Sequence, residues 1–204
     1  GAELVQAKLD EATAFLTRGD PASAQAALAI LEPLTVEHPD LAGIQYNMGV
    51  AYLILDDNLN ARKRFLRATE VDSGLSQAWL NMAIMSEQAG DLERALDKIE
   101  AGLRYAPDDD ELVVSQIHLL RKMEVFDEAI QKAEEAIQVN GHNLAAYDAL
   151  GMTYLDKAER SPLTADVSRE RANFIYQLAY QFVPGADKST SIRVPIERNG
   201  RDAR

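Results

Sequence analysis

The chain has 204 residues, of which 47% are apolar and 26% charged, with a formal net charge of −12 and no cysteine. This composition supports a packed core rather than a disordered chain, and the negative field repels phosphate backbones, so no nucleic-acid partner is expected. The lack of cysteine excludes disulfides, thiolate nucleophiles and thiolate metal sites, and no apolar run approaches the ~20 residues that cross a bilayer, so no direct membrane insertion is expected.

Along the chain, a beat of 34 residues organises the sequence: Ala27, Ala61, Ala95 and Ala129 fall in step, and Pro39 and Pro107 lie two beats apart with the turn-compatible Ser73 between them and Gly141 a beat later. A fixed period of this size marks an array of one repeated supersecondary unit. The units run 8–41, 42–75, 76–109, 110–143 and 144–184. Each splits into two helical stretches. The first, helix A, carries an apolar stripe such as Met48, Tyr52 and Leu55 in unit two or Trp79, Met82 and Ala83 in unit three. Helix B carries a small, a larger and a small residue at spacings of four and three: Ala61-Phe65-Ala68, Ala95-Ile99-Gly102 and Ala129-Ala133-Ala136. Those spacings put each trio on one helix face. Asp56-Asp57-Asn58 and Gly90-Asp91 supply the turns inside units, and Pro39-Asp40, Pro107-Asp108 and Asn140-Gly141 the breaks between them.

Unit five departs from the beat. Ala172, Tyr176, Ala179 and Pro184 keep the helix B spacings, but they arrive nine residues late. The extra residues fall near 159–167, around Ser161-Pro162-Leu163, and predict a protruding loop with Ser168 as N-cap of the last helix. It reads as a tolerated surface insertion or as a loop that touches a partner. Residues 185–204 leave the pattern. Ile192, Val194 and Ile196 alternate with polar residues, Pro195 opposes a central strand, and Arg198, Arg201 and Arg204 make the end basic. An extended C-terminal tail is expected, packed on its own array or in a neighbour's groove.

This pattern resembles the tetratricopeptide repeat (TPR), whose signature is W-x2-L-G-x2-Y, then A-x3-F, A and P. Unit two offers Gln45, Met48, Gly49, Tyr52, Ala61, Phe65, Ala68 and Ser73; unit three offers Trp79, Met82, Ala83, Ser86, Ala95, Ile99, Gly102 and Pro107. Unit five opens with Tyr147, Leu150, Gly151 and Tyr154. Unit four (Val113, Gln116, Ile117, Leu120) and unit one (Glu11, Ala14, Phe15, Arg18) match weakly in helix A and better in helix B. The resemblance implies an all-α, right-handed superhelical solenoid of about five units and ten helices, with helix A lining a concave groove.

The groove places that the resemblance assigns include Tyr46, Asn47, Val50 and Ile54 in unit two; Gln77, Leu80, Asn81 and Ile84 in unit three; and Val114, His118, Arg121 and Lys122 in unit four. Asn47 and Asn81 hold equivalent places. In relatives that carry extended peptides, asparagines there bind the ligand backbone, and a carboxamide suits that task because it is both donor and acceptor. Tyr46, Val50, Leu80, Ile84 and Val114 make an apolar floor, part of which could equally be buried between helices. Arg121, Lys122 and His118 are either partners for an acidic ligand or a solvated helix end. The family's clamp for chaperone tails needs cations where this chain has Ala12, Leu16, Tyr46 and Val50, so that role is not expected.

Catalytic signals are missing from the sequence. His38, His118 and His142 lie in different units without metal-pair spacing, and Asp108-Asp109-Asp110-Glu111 reads as a helix cap. No phosphate loop or nucleophile elbow is present. The basic run Arg62-Lys63-Arg64-Arg67 reads as a solvated helix B face, or else as a site for an acidic partner or a neighbouring subunit. The expected function is a non-catalytic, cofactor-free adaptor with a protein or peptide partner; a homo-oligomer linked through the tail is the alternative. General likeness to bacterial members points to pilus assembly or gliding motility. The start at Gly1-Ala2 reads as a trimmed one, so cytoplasm and periplasm both remain open, the latter including a lipoprotein with its targeting segment removed.

Overall fold

The computed structural model describes residues 2–186, and these form ten α-helices and one 3-10 turn. The expected tail lies almost wholly outside the described residues. The chain divides into two compact units, Gly1–Leu112 and Val113–Arg204, each described here by itself.

In the first unit, α1 (Ala2–Leu16) pairs with α2 (Pro21–Glu37), α3 (Ala42–Ile54) with α4 (Asn58–Val71), and α5 (Ser76–Gln88) with α6 (Leu92–Leu103). The alanines of the beat explain the pairing. Ala27, Ala61 and Ala95 are wholly buried, as are Leu31, Phe65 and Ile99 one turn on, so small residues let each helix B approach its partner closely. Gly49 shows how closely: a Cβ there would lie 2.6 Å from Phe65 Cε1.

The turns repeat as well. Asp56, Gly90 and Glu124, one beat apart, all adopt left-handed φ of 59°, 80° and 61°. The next amide reaches back to Tyr52, Ser86 and Leu120 oxygens at 2.9 Å each, which closes the preceding helix. Asp57 and Asp91 then cap α4 and α6 by accepting from the Asn60 and Arg94 amides. Trp79 Nε1 donates to the Ser73 carbonyl at 2.9 Å, tying the helix A tryptophan to the place where the signature has proline.

Unit one corrects its expected frame. Its left-handed turn residue is Gly19, φ 71°, three places ahead of the beat set by Asp56. Helix α1 therefore buries Ala12 and Leu16, while Glu11 and Ala14 are exposed and Arg18 lies beyond the helix. Helix α2 gains the residues that α1 loses, and Asp20 caps it.

The second unit contains most of α7 (Asp110–Lys122), α8 (Phe126–Val139), α9 (Leu144–Arg160) and α10 (Ala165–Phe182). The protruding loop expected near 159–167 does not form. Helix α9 has 17 residues against 13 in α3, and α10 has 18 against 14 in α4. The insertion thus becomes one extra turn on each helix, joined by the 3-10 turn Pro162–Thr164. Hydrogen-bonded helix satisfies the backbone of those residues internally, which a loop could not do. Ser168 is no cap; it is buried inside α10. Gly151 repeats the role of Gly49, with a would-be Cβ 2.4 Å from Tyr176 Cζ.

Candidate peptide-binding face

In the first unit the A helices bring the assigned places together on one side. Asn47 Nδ2 donates to Thr13 Oγ1 at 3.2 Å, a bond from α3 to α1 across one beat. Asn81 Nδ2 donates to the Gln77 carbonyl at 2.8 Å and to Tyr46 Oη at 3.3 Å, a bond from α5 to α3. These bonds fix both carboxamides by their nitrogen ends. Among the described residues no donor reaches either Oδ1, so each asparagine presents an acceptor in a set orientation. The neighbouring Val50, Ile54 and Leu80 are half-buried, while Gln77 and Ile84 are exposed. Val50 contributes to packing between helices as well as to the surface, which was one of the two readings of the apolar floor. Tyr46 packs its ring on Phe65 with centroids 5.7 Å apart, which leaves its hydroxyl at Asn81. The face is a stripe of apolar side chains flanked by two oriented amides.

The second unit carries the other assigned residues, of which Arg121 and His118 form a charged group with Asp156. Arg121 Nη1 pairs with Asp156 Oδ2 at 3.1 Å, and Arg121 Nη2 lies 3.3 Å from His118 Nδ1. The guanidinium is thus already engaged from α9, with only 17% of its side chain exposed. Asp148 lies close by. Burial raises its carboxyl above the usual range, and the attraction of Arg121 opposes this. The Tyr176 hydroxyl is also pushed up, first by burial and then by the Asp148 charge. Val114 is half-buried and Lys122 exposed. Sequence reasoning missed the Arg121–Asp156 pair, although its spacing of 35 residues nearly matches the beat and was a usable signal.

Asp109 accepts from the Glu111 and Leu112 amides, as a helix cap does. Among the described residues no group of three His, Cys, Asp or Glu side chains could hold a metal ion, and no helix is long and apolar enough to cross a membrane.

The molecule is an all-α array of helix-turn-helix repeats. Its fold is that of the tetratricopeptide repeat. Among solved structures, PilF of Pseudomonas aeruginosa superposes with a TM-score of 0.68 at 15% identity, covering 91% of this chain and 78% of that one. MamA from Desulfovibrio magneticus RS-1 gives 0.63 at 18% identity, covering 86% and 95%. YrrB, described as a TPR protein with an unusual peptide-binding site, gives 0.56 at 18% identity, covering 78% and 83%. No family model matches the chain, and no curated protein matches it.

Proposed function

We propose that this chain is a non-catalytic adaptor that holds an extended segment of a partner protein across α3 and α5. The observation that carries this reading is the pair Asn47 and Asn81, anchored through nitrogen and presenting Oδ1 beside Val50, Leu80 and Ile84. Two acceptors at a fixed spacing can meet backbone N–H groups of any sequence, while the apolar places select side chains. The described peptide-binding site of the structural neighbour YrrB is consistent with such a use of the fold. In the second unit, Arg121 is held by Asp156, so this group orients the surface rather than offering a free cation. Resemblance to bacterial members supports a role for such an adaptor in the assembly of a bacterial envelope or motility complex.

The test is a peptide selected by display against the whole chain. Each lost neutral hydrogen bond is worth about 0.5–1.5 kcal/mol, so Asn47→Ala/Asn81→Ala is expected to weaken the selected peptide by roughly 5- to 150-fold, with the helical circular dichroism at the assay temperature retained. Equal affinity for both proteins would exclude the proposed role of the asparagines.

A second reading is favoured by α10, whose outer side leaves Val167, Phe174 and Phe182 exposed at 60%, 57% and 53%. Such a face suits self-association, with residues 185–204 as the linking element. Light scattering on the whole chain and on a version ending at Pro184 decides it: a larger species that reverts to monomer on truncation supports linkage, and two monomers exclude it.

A further inference from the structure

Helix α4 carries a feature that the adaptor reading does not use. Arg62, Lys63, Arg64 and Arg67 put four cations within two turns of a chain whose net charge is −12. The equivalent places in the neighbouring repeats are not basic as a set: they hold Leu28, Ala29, Ile30 and Pro33 in unit one and Leu96, Asp97, Lys98 and Ala101 in unit three. The cluster is therefore not a requirement of the repeat.

It is also poorly neutralised. Arg67 pairs with Glu70 at 3.0 Å, with both side chains half exposed. Arg64 donates to a neutral amide, Gln45 Oε1, at 3.1 Å. Arg62 and Lys63 have no ion pair among the described residues. Lys63 and Arg67, four apart on one face, repel each other, and such like-charge pairs destabilise a helix. An open cavity of about 460 Å3 lies on this face, lined by Gln45, Lys63, Arg64, Leu66, Arg67 and Glu70.

We infer that this α4 face is a docking site for an acidic, carboxylate-rich segment of a partner protein. Charge complementarity selects the occupant. Arg64 and Arg67 each use one N–H internally and keep further donors in the guanidinium fork for carboxylates, and Lys63 has three. The cations are spread along the helix instead of converging on one point, which suits successive carboxylates better than a single phosphate. Leu66, 45% exposed at the middle of the cluster, offers contact for an apolar side chain within the acidic segment. Because the rest of the chain is acidic, this face is where a negatively charged partner is steered, and an anionic bilayer or a nucleic acid would meet repulsion around it. The inference adds a second partner surface to the adaptor and does not depend on the α3–α5 face.

The experiment measures fluorescence anisotropy of a labelled peptide of glutamates interrupted by leucine, titrated with the whole chain at low and moderate salt. Expected is saturable, salt-weakened binding that Lys63→Glu/Arg67→Glu weakens by about tenfold or more. The milder Lys63→Ala/Arg67→Ala is expected to weaken it less, with unchanged circular dichroism in both. Asn47→Ala/Asn81→Ala is expected to bind the peptide as the original chain does. No binding, or equal binding by the charge-reversed chain, overturns the inference. So does loss of binding in the asparagine variant alone, which would move the peptide to the α3–α5 face and leave the adaptor reading standing. Binding of inorganic phosphate or of phosphatidylserine vesicles through Lys63 and Arg67, with the peptide silent, overturns it too.

Discussion

Gly49→Ala tests the packing logic of the array at one atom. An alanine Cβ would lie 2.6 Å from Phe65 Cε1 and 2.7 Å from Cδ1, where carbon atoms prefer about 3.5–4.0 Å. The ring must retreat by about 1 Å, yet Phe65 is wholly buried and packed on Tyr46. Overpacking of this kind costs about 1–3 kcal/mol, and the better helix propensity of alanine returns about 1 kcal/mol. The net expectation is a loss of about 0–2 kcal/mol, against the usual gain from Gly→Ala in a helix. The array itself suggests the rescue. The equivalent pair in unit three is Ala83 with Ile99, both buried. Gly49→Ala/Phe65→Ile should therefore recover much of the loss, giving a coupling of about 1 kcal/mol or more in a double-mutant cycle. Urea unfolding followed by circular dichroism reads all four proteins, provided the slopes agree. If Gly49→Ala stabilises the chain, or if the two changes simply add, the close approach of α3 and α4 is not set by this contact.

Other outcomes follow from local features. Val125 stands at the N-cap of α8, where its equivalents Asp57 and Asp91 accept from the helix amides, and it makes no side-chain cap bond; Val125→Asp should stabilise the chain by about 1 kcal/mol, read as a higher urea midpoint. Asp56 adopts left-handed φ where Gly90 does one beat later, so Asp56→Gly should be neutral to stabilising by about 0.5 kcal/mol, in contrast to glycine elsewhere in a helix. Burial raises the Asp148 carboxyl above its unfolded value near 3.8, so the folded state binds this proton more tightly. The stabilising contribution is full below that value and is lost as pH rises through the folded pKa. Asp148→Asn should thus be at least as stable as the original chain at neutral pH. Its advantage should shrink on acidification, as thermal melts across pH would show.

Much of the architecture was legible because it depends on spacing within one helix. Ala61, Phe65 and Ala68 share a face whatever the rest of the chain does, and all three are buried. The turn at Asp56-Asp57 and the cap at Asp109 follow from equally local chemistry. What the sequence hid lies between helices or in exchanges of length. The early turn at Gly19 moves the buried places of α1 to Ala12 and Leu16, and no residue inside α1 announces that slip. The insertion around Ser161 reads as loop by its proline, while the helical tendency of the flanking residues turns it into longer helices. On the candidate face, the asparagine pair was visible as a repeat, whereas its anchoring to Thr13 and Tyr46 required three helices in place.

The adaptor reading puts a partner segment across α3 and α5. Its most direct test places a photo-crosslinking amino acid at Gln77 or Ile84, both exposed on that face, and at Val36 or Val139, which are exposed elsewhere at 83% and 75%. Irradiation in cells should yield one partner adduct at Gln77 and Ile84, none at Val36 and Val139, and loss of the adduct when Asn47→Ala/Asn81→Ala is added. Adducts at Val36 or Val139 with none at Gln77 and Ile84, or adducts indifferent to the asparagines, would contradict the account.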